Sequence, residues 1–228
     1  MNKYYLFFIS VVYCLGPFQT KAQDFKQALL NMRQQYEASE NMHVEMRVTV
    51  FDDSTASNPF FQEKAMIKRQ NDSYYQVFGN MEMMMNAKAI IVVNKEAKTI
   101  VCNPRNPAAE EQVKDPFQLN LDSIMNFYEE PKLLSSEAGV DRYSIRQKQG
   151  PIGKVELAID TERNQLLKLA YHYVQGQYVE IDFLVFDNQV QFPKNTFSET
   201  KYFSWREDQL KATPKYMGYQ ILNNGINF

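Results

Sequence analysis

Residues 41–51 read NMHVEMRVTVF, and apolar side chains alternate with polar ones along the whole stretch. Met42, Val44, Met46, Val48 and Val50 would share one face of an extended chain. A period of two predicts a β-strand with one buried face. Similar runs predict further strands at 60–69, 73–78, 89–94, 98–103, 153–160, 166–174, 178–187 and 196–203. The short turns between most of them are typical of an antiparallel meander.

Two amphipathic helices accompany these strands. In residues 24–38, Phe25, Leu29, Met32 and Tyr36 recur at helical spacing, and a second helical pattern runs through residues 117–128. Roughly ten strands with one apolar face each, but only two helices, require a curved sheet. We therefore predict a mainly β (α+β) fold, in which a strongly curved antiparallel sheet forms an unclosed half-barrel and helices cover its concave apolar face.

The first 22 residues have the pattern of a secretory signal peptide. Lys3 precedes an apolar run, and the small residues Thr20 and Ala22 predict cleavage before Gln23. The domain prediction is thus a signal peptide at 1–22 and a single domain at 23–228. The alternative is a lipid anchor on Cys14, but the bulky Tyr13 beside it disfavours lipidation, so we expect a soluble exported protein.

Composition and missing motifs disfavour several classes of function. Removal of residues 1–22 leaves 23 basic against 27 acidic residues, which offers no basic stripe for nucleic acid. The two histidines, His43 and His172, lie on the polar side of predicted strands, and Cys102 reads as a small buried hydrophobe. No metal-binding, phosphate-binding or nucleophile motif occurs. We predict that the protein is not an enzyme and needs no cofactor.

The stretch 79–85, GNMEMMM, places Met81, Met83 and Met85 on one face of a strand, with Glu82 and Met84 on the other. Methionine is flexible and polarizable, so this row has three interpretations. It lines a pocket for flexible apolar chains, it fills an ordinary core, or it binds a soft metal such as copper.

The stretches EKAMIKRQNDSYYQV (63–77) and IIVVNKEAKTIVCNP (90–104) carry a family resemblance. They contain a strand that ends in the basic pair Lys68 and Arg69, a next strand with Tyr74 and Tyr75, and a hairpin that ends in Asn-Pro. In these features and in the order of its elements, the chain resembles the periplasmic outer-membrane lipoprotein carriers, the family with the LolA/LolB-like fold.

This resemblance implies a monomeric periplasmic carrier that binds lipid or lipoprotein acyl chains in a hydrophobic half-barrel. Such a carrier would accept its cargo from an inner-membrane donor and pass it to an outer-membrane acceptor. Strand parity and the resemblance together give the expected cavity residues: Val44, Met46, Met81, Met83, Met85, Leu169 and Ile181.

The resemblance also implies a lid-controlling role for Arg69, whose side chain would hydrogen-bond lid elements while the cavity is empty. We expect its acceptors in the second helix region, between Asp115 and Tyr128. The alternative from another class of function is a protein-interaction module of the cell envelope. It would reuse the fold without a lipid ligand and bind a partner at an exposed strand edge.

Overall fold

A computed structural model describes residues 21–106, 126–206 and 209–225. The predicted signal peptide, except its last two residues, and residues 117–125 of the predicted second helix lie outside these ranges. Helix α1 spans Lys21–Ala38, and 3-10 turns lie at Glu199–Lys201 and Pro214–Tyr216. The strands are β1 Asn41–Phe51, β2 Phe61–Gln70, β3 Ser73–Phe78, β4 Met81–Met85, β5 Ala89–Asn94, β6 Thr99–Pro104, β7 Lys132–Glu137, β8 Val140–Arg146, β9 Ile152–Asp160, β10 Gln165–Tyr173, β11 Tyr178–Asp187, β12 Phe203–Arg206, β13 Gln209–Ala212 and β14 Gln220–Asn223.

Twelve of these strands form one curved sheet that does not close into a barrel. The order across the sheet is β14-β6-β5-β4-β3-β2-β1-β11-β10-β9-β8-β7. Two antiparallel meanders, β2–β6 and β7–β11, are joined by β1, which pairs with β2 on one side and β11 on the other. The predicted fold class, an open half-barrel of mainly antiparallel strands, is confirmed.

Helix α1 packs on one face of the β7–β11 half. Phe25 is buried with its ring 4.8 Å from that of Tyr143, and Met32 belongs to the same core. Farther along the helix, the Tyr36 ring stacks on Phe186 at 4.9 Å. These positions are the predicted apolar stripe of the helix, so α1 is held by the burial of that stripe. We call the sheet face on which α1 packs the helix face.

A second core lies on the opposite face of the β3–β6 half. Its buried sheet residues include Met84, Ile91, Ile100 and Cys102, and the described parts of the C-terminal segment, 197–206 and 209–221, cover them. The expectation of one apolar face per strand is therefore wrong for this half, where both faces carry apolar side chains. The runs AIIVV (89–93) and IVC (100–102) are continuously apolar rather than alternating, which is typical of strands buried on both faces.

Local differences from the sequence-based elements are confined to the second half of the chain. The strand predicted at 196–203 is instead a 3-10 turn at Glu199–Lys201, with Ser198 as its N-cap, and β12 starts only at Phe203. Strands β7, β8, β13 and β14 were not predicted, because short polar-rich runs such as KLLSSE carry little period-two signal. In the described ranges, no helix is long and apolar enough to cross a membrane.

Candidate functional site

The helix face continues past α1 onto strands β2–β6, and this continuation is the candidate site. Strand register aligns Val44 with Ile67, Ile67 with Gln76, and Gln76 with Met83. Side chains that are paired directly across strands point to the same face. The Met83 side chain therefore points to the same face as Val44, although two strands, β3 and β2, separate β4 from β1.

The seven residues predicted from sequence all lie on this helix face. Val44 is buried at 6% exposure, and Met81 is 43% exposed at the outer end of the methionine row. The other five are half-buried: Met46, Met83, Met85, Leu169 and Ile181. Exposure thus increases from the centre of the sheet toward the β3–β4 turn, and the methionine row leads from a covered apolar region to an open one.

An exposed aromatic rim borders the methionine row where β2 begins and β3 ends. Phe61 and Phe78 are 40% and 45% exposed, and their ring centroids are 6.4 Å apart. Phe78 is the cross-strand partner of Met81. The sequence gives no signal for this rim, because single phenylalanines at strand ends form no periodic pattern. Only the strand register brings Phe61 and Phe78 together.

Arg69 reaches from the helix face of β2 to the end of α1. Its guanidinium donates hydrogen bonds to the backbone carbonyls of Tyr36 and Ser39. The last carbonyls of a helix lack intrahelical partners and carry partial negative charge, so a cation there is favourable. An inward arginine with carbonyl acceptors was predicted, and the acceptors in the described residues belong to the end of the first helix. Residues 115–125 of the second helix region, where the acceptors were expected, lie outside the described ranges.

Directly beneath the methionine row, on the opposite face of β4, lies a buried carboxylate. Glu82 is 2% exposed, and its Oε1 accepts hydrogen bonds from the hydroxyls of Tyr202 and Tyr216, each at 3.0 Å. The Nζ atoms of Lys201 and Lys215 lie 3.6 and 3.7 Å from the carboxylate oxygens. A buried charge is tolerated only when it is paired and hydrogen-bonded, and Glu82 is both.

Charge and burial set the protonation of this cluster. Burial alone would raise the pKa of Glu82, but the charges of Lys215 and Lys201 and the two tyrosine hydrogen bonds outweigh it and hold the pKa below its ordinary value. Burial and the neighbouring carboxylate raise the pKa values of Tyr202 and Tyr216. At neutral pH the tyrosines are therefore donors to an ionised Glu82, and the cluster fastens the C-terminal segment to the sheet.

Lys201 adds a second contact to this segment. Its ammonium group lies 3.6 Å from the centroid of the Tyr75 ring, a cation–π geometry. Period-two parity places Glu82 on the face away from the methionine row, but a lone glutamate in the sequence gives no sign of its burial. The sequence signal for this burial is the neighbouring strand β5. Its continuous apolar run indicates that both faces of the β3–β6 half of the sheet are covered.

The remaining candidate groups offer less chemistry. The thiol of Cys102 is buried, which raises its pKa to about 11 and leaves it protonated at neutral pH. His172 packs against the Tyr178 ring at 4.7 Å, with Nε2 3.5 Å from Glu156 Oε2.

A depression of about 650 Å³ between α1 and the β9–β10 turn is lined by polar side chains. Within the described ranges, no three His, Cys, Asp or Glu side chains are placed to hold a metal ion.

Comparison with known proteins yields matches among solved structures only. No protein-family model and no curated protein sequence matches the chain. It is similar to an uncharacterized conserved protein from Thermus thermophilus, at 9% identity over 87% of this chain and 98% of the other, with a TM-score of 0.47. It is also similar to a LolA superfamily protein from Nitrosomonas europaea, at 10% identity over 77% and 97%, with a TM-score of 0.33.

A third similar structure is a complex of Pseudomonas aeruginosa MucA and MucB. The match has 10% identity and covers 85% of this chain and 64% of the other, with a TM-score of 0.41. The family name inferred from the sequence is therefore found among the matched structures, beside a protein–protein complex. All three scores are below 0.5, so we take no ligand, partner or function from these proteins.

Proposed function

We propose that this protein is an exported, non-enzymatic carrier that binds lipid or lipoprotein acyl chains on the helix face of β2–β6, as a soluble monomer in the periplasm. The observation that carries the proposal is the methionine row, which lies on the same sheet face as α1 and ends at an exposed aromatic rim. Flexible thioether side chains adapt to apolar ligands of varied shape.

The energetics of acyl binding favour such a surface. Each CH₂ group removed from water contributes about 0.8 kcal/mol, so one long chain along the methionine row would bind well even after losses of entropy. Val44, Met46, Leu169 and Ile181 would form the deeper part of the site beside α1. A carrier must also release its ligand, and the acyl chain would leave at the exposed end of the methionine row, at Met81.

The test is to export the protein, purify it without detergent and extract it with organic solvent. Mass spectrometry should find co-purifying phospholipid or fatty acid near one equivalent, and a fluorescent fatty acid should bind to delipidated protein. Intact mass should correspond to a chain that begins at Gln23 without a lipid group. Absence of lipid from the extract together with no probe binding would refute the carrier proposal.

Arg69 would hold the empty state closed by tying the end of α1 to β2. Hydrogen bonds from a charged donor contribute about 1.5–3 kcal/mol, so their loss should favour the loaded state. We expect Arg69→Leu to fold, to take up the fatty-acid probe readily, and to release it about tenfold more slowly into excess unlabelled fatty acid. Stopped-flow fluorescence measures both rates.

Arg142→Leu is the matched control, since Arg142 is exposed on the opposite face of β8 and should leave both rates unchanged. If a folded Arg69→Leu variant released the probe at the wild-type rate, the arginine would have no part in lid control.

The alternative, a protein-interaction module, is favoured by one observation. Strand β7 is an edge strand of the sheet, with Leu134 58% exposed on it. In the described part of the chain no further strand lies beyond β7 in the sheet, and an edge strand offers backbone hydrogen bonds to an extended peptide. On this alternative, the purified protein would contain no lipid, and a charged substitution at Leu134 would abolish partner binding while changes at Met83 would not.

A further inference from the structure

We propose that one end of the sheet, the tip, docks on the surface of a lipid bilayer by inserting Phe60, Phe127 and Val174. These three side chains are 57%, 64% and 71% exposed, and each lies in a different connecting segment of the chain. Bilayer docking concerns a surface outside the proposed acyl-binding face and does not depend on acyl uptake.

The segments that carry these side chains adjoin one another. Val174 N donates to Pro151 O at 2.9 Å, which links the β10–β11 turn to the β8–β9 turn. Lys148, in the β8–β9 turn, donates its backbone N–H to Phe127 O at 3.0 Å.

On the other side, the β10–β11 turn approaches the loop between β1 and β2. A Cβ atom at Gly176 would lie 3.9 Å from Asp52 O. Phe60 closes that loop by donating its N–H to Val50 O at 3.0 Å. The three side chains are thus borne by one connected set of turns, which continues to the aromatic rim at Phe61 and Phe78.

The opposite end of the sheet differs in chemistry. Its hairpin turns carry none of the large hydrophobic residues that are exposed in the described part of the chain: Asn71-Asp72, Asn86-Ala87-Lys88, Ala138-Gly139 and 161–164. The exposed hydrophobics nearest to this end, Leu184 and Val185, lie within strand β11. Single exposed hydrophobics are normal on a soluble protein, but a bias of exposed apolar side chains toward one end marks an interaction surface.

The arrangement fits a bilayer better than a protein partner. Neighbouring strands are about 4.8 Å apart, so the tip extends over roughly 25–30 Å between β3 and β8. Its apolar side chains lie in separate turns, among polar turn residues. Isolated aromatic and aliphatic anchors of this kind insert between lipid headgroups, where aromatic rings are favoured.

The charge of the tip indicates which lipid surface it contacts. The segments 52–60, 79–80, 95–98, 126–131, 147–151 and 174–177 contain five acidic and three basic residues. This surplus of negative charge gives no attraction to anionic headgroups, so binding should rest on apolar insertion and should occur on zwitterionic bilayers. It should also persist at about 0.5 M NaCl, where surface charges are screened.

The experiment is co-sedimentation of the full-length mature protein with vesicles of phosphatidylcholine and phosphatidylethanolamine. The tip variant combines Phe60→Ser, Phe127→Ser and Val174→Ser. The control variant combines Leu134→Ser, Leu184→Ser and Met217→Ser, three exposed hydrophobics away from the tip. We expect the tip variant to bind about tenfold more weakly or worse, and the control to bind as wild type does.

A second readout uses Phe60→Trp, whose emission should shift to shorter wavelength when vesicles are added, relative to the wild-type background. Fatty-acid probe uptake without vesicles should be unchanged in the tip variant, so loss of vesicle binding with intact uptake separates this inference from the carrier proposal. Equal sedimentation of tip and control variants would overturn the inference. Two other results would also overturn it. One is wild-type binding that requires anionic lipid and disappears at high salt. The other is a wild-type protein that does not bind protein-free vesicles.

Discussion

Glu82→Ala should lower the free energy of unfolding by about 3–5 kcal/mol, the range for breaking a buried ion pair from one side. Without the carboxylate, the hydroxyls of Tyr202 and Tyr216 lose their shared acceptor in a buried site. In a domain of this size the change corresponds to a fall in Tm of about 10 °C. The free energy of unfolding is measured by urea denaturation, with circular dichroism as the signal.

Two variants control this result. Glu96→Ala removes an exposed glutamate from the β5–β6 turn and should change stability by less than about 0.5 kcal/mol. Tyr202→Phe removes one hydrogen bond to the ionised carboxylate and should cost about 1.5–3 kcal/mol. If Glu82→Ala were no more destabilising than Glu96→Ala, the C-terminal segment would not be fastened through this carboxylate.

The same site gives a pH dependence with a defined sign. Because the pKa of Glu82 is lower in the folded protein than its ordinary value of 4.5, its contribution is complete above about pH 4.5. It is lost as the pH falls through the folded-state pKa, because the folded carboxylate must then take up a proton. The difference in unfolding free energy between wild type and Glu82→Gln should therefore be constant from about pH 5 to pH 7 and shrink below about pH 4.5.

The double variant Met83→Glu, Met85→Glu should abolish binding of the fatty-acid probe, with a loss of about 100-fold or more. An ionised side chain beside a bound acyl chain must be desolvated, which costs several kcal/mol. Both positions are half-buried, so the chain should still fold. Fluorescence titration of delipidated protein measures the affinity.

Met217→Glu makes the same chemical change at a side chain that is 78% exposed and away from the helix face. It should leave probe affinity unchanged. Wild-type affinity in a folded Met83→Glu, Met85→Glu variant would exclude the methionine row from the acyl-binding site.

The sequence predicted the fold to the extent that apolar or alternating runs bounded by polar turns mark its strands. The strands at 41–51, 73–78, 89–94 and 178–187 have the predicted bounds, because a clean apolar pattern and polar turns define both ends. Period-two parity also placed Met83 and Val44 on one face. Parity depends only on the residues of one strand, so it predicts which side chains share a face even when the neighbouring strands are unknown.

The features that the sequence did not predict depend on contacts between distant segments. Glu82 meets Tyr202 and Tyr216 only after the C-terminal segment folds back over β3–β6, and no local pattern marks that approach. Arg69 was correctly expected to need carbonyl acceptors, yet the location of these acceptors depended on where α1 ends. For Glu82 and Arg69 alike, the local residue pattern indicates that the side chain needs a hydrogen-bonding partner. The topology of the fold determines which residue provides it.

The place of β1 at the centre of the sheet has a consequence for folding kinetics. β2–β6 and β7–β11 are each local meanders, but β1 gains its second neighbour only when β11, far later in the chain, pairs with it. Pairings of long sequence separation are slow because loop entropy is lost before contacts form. While the chain is synthesised amino-terminus first, β1 would therefore be half-paired, and its edge would be open to aggregation until β11 pairs with it.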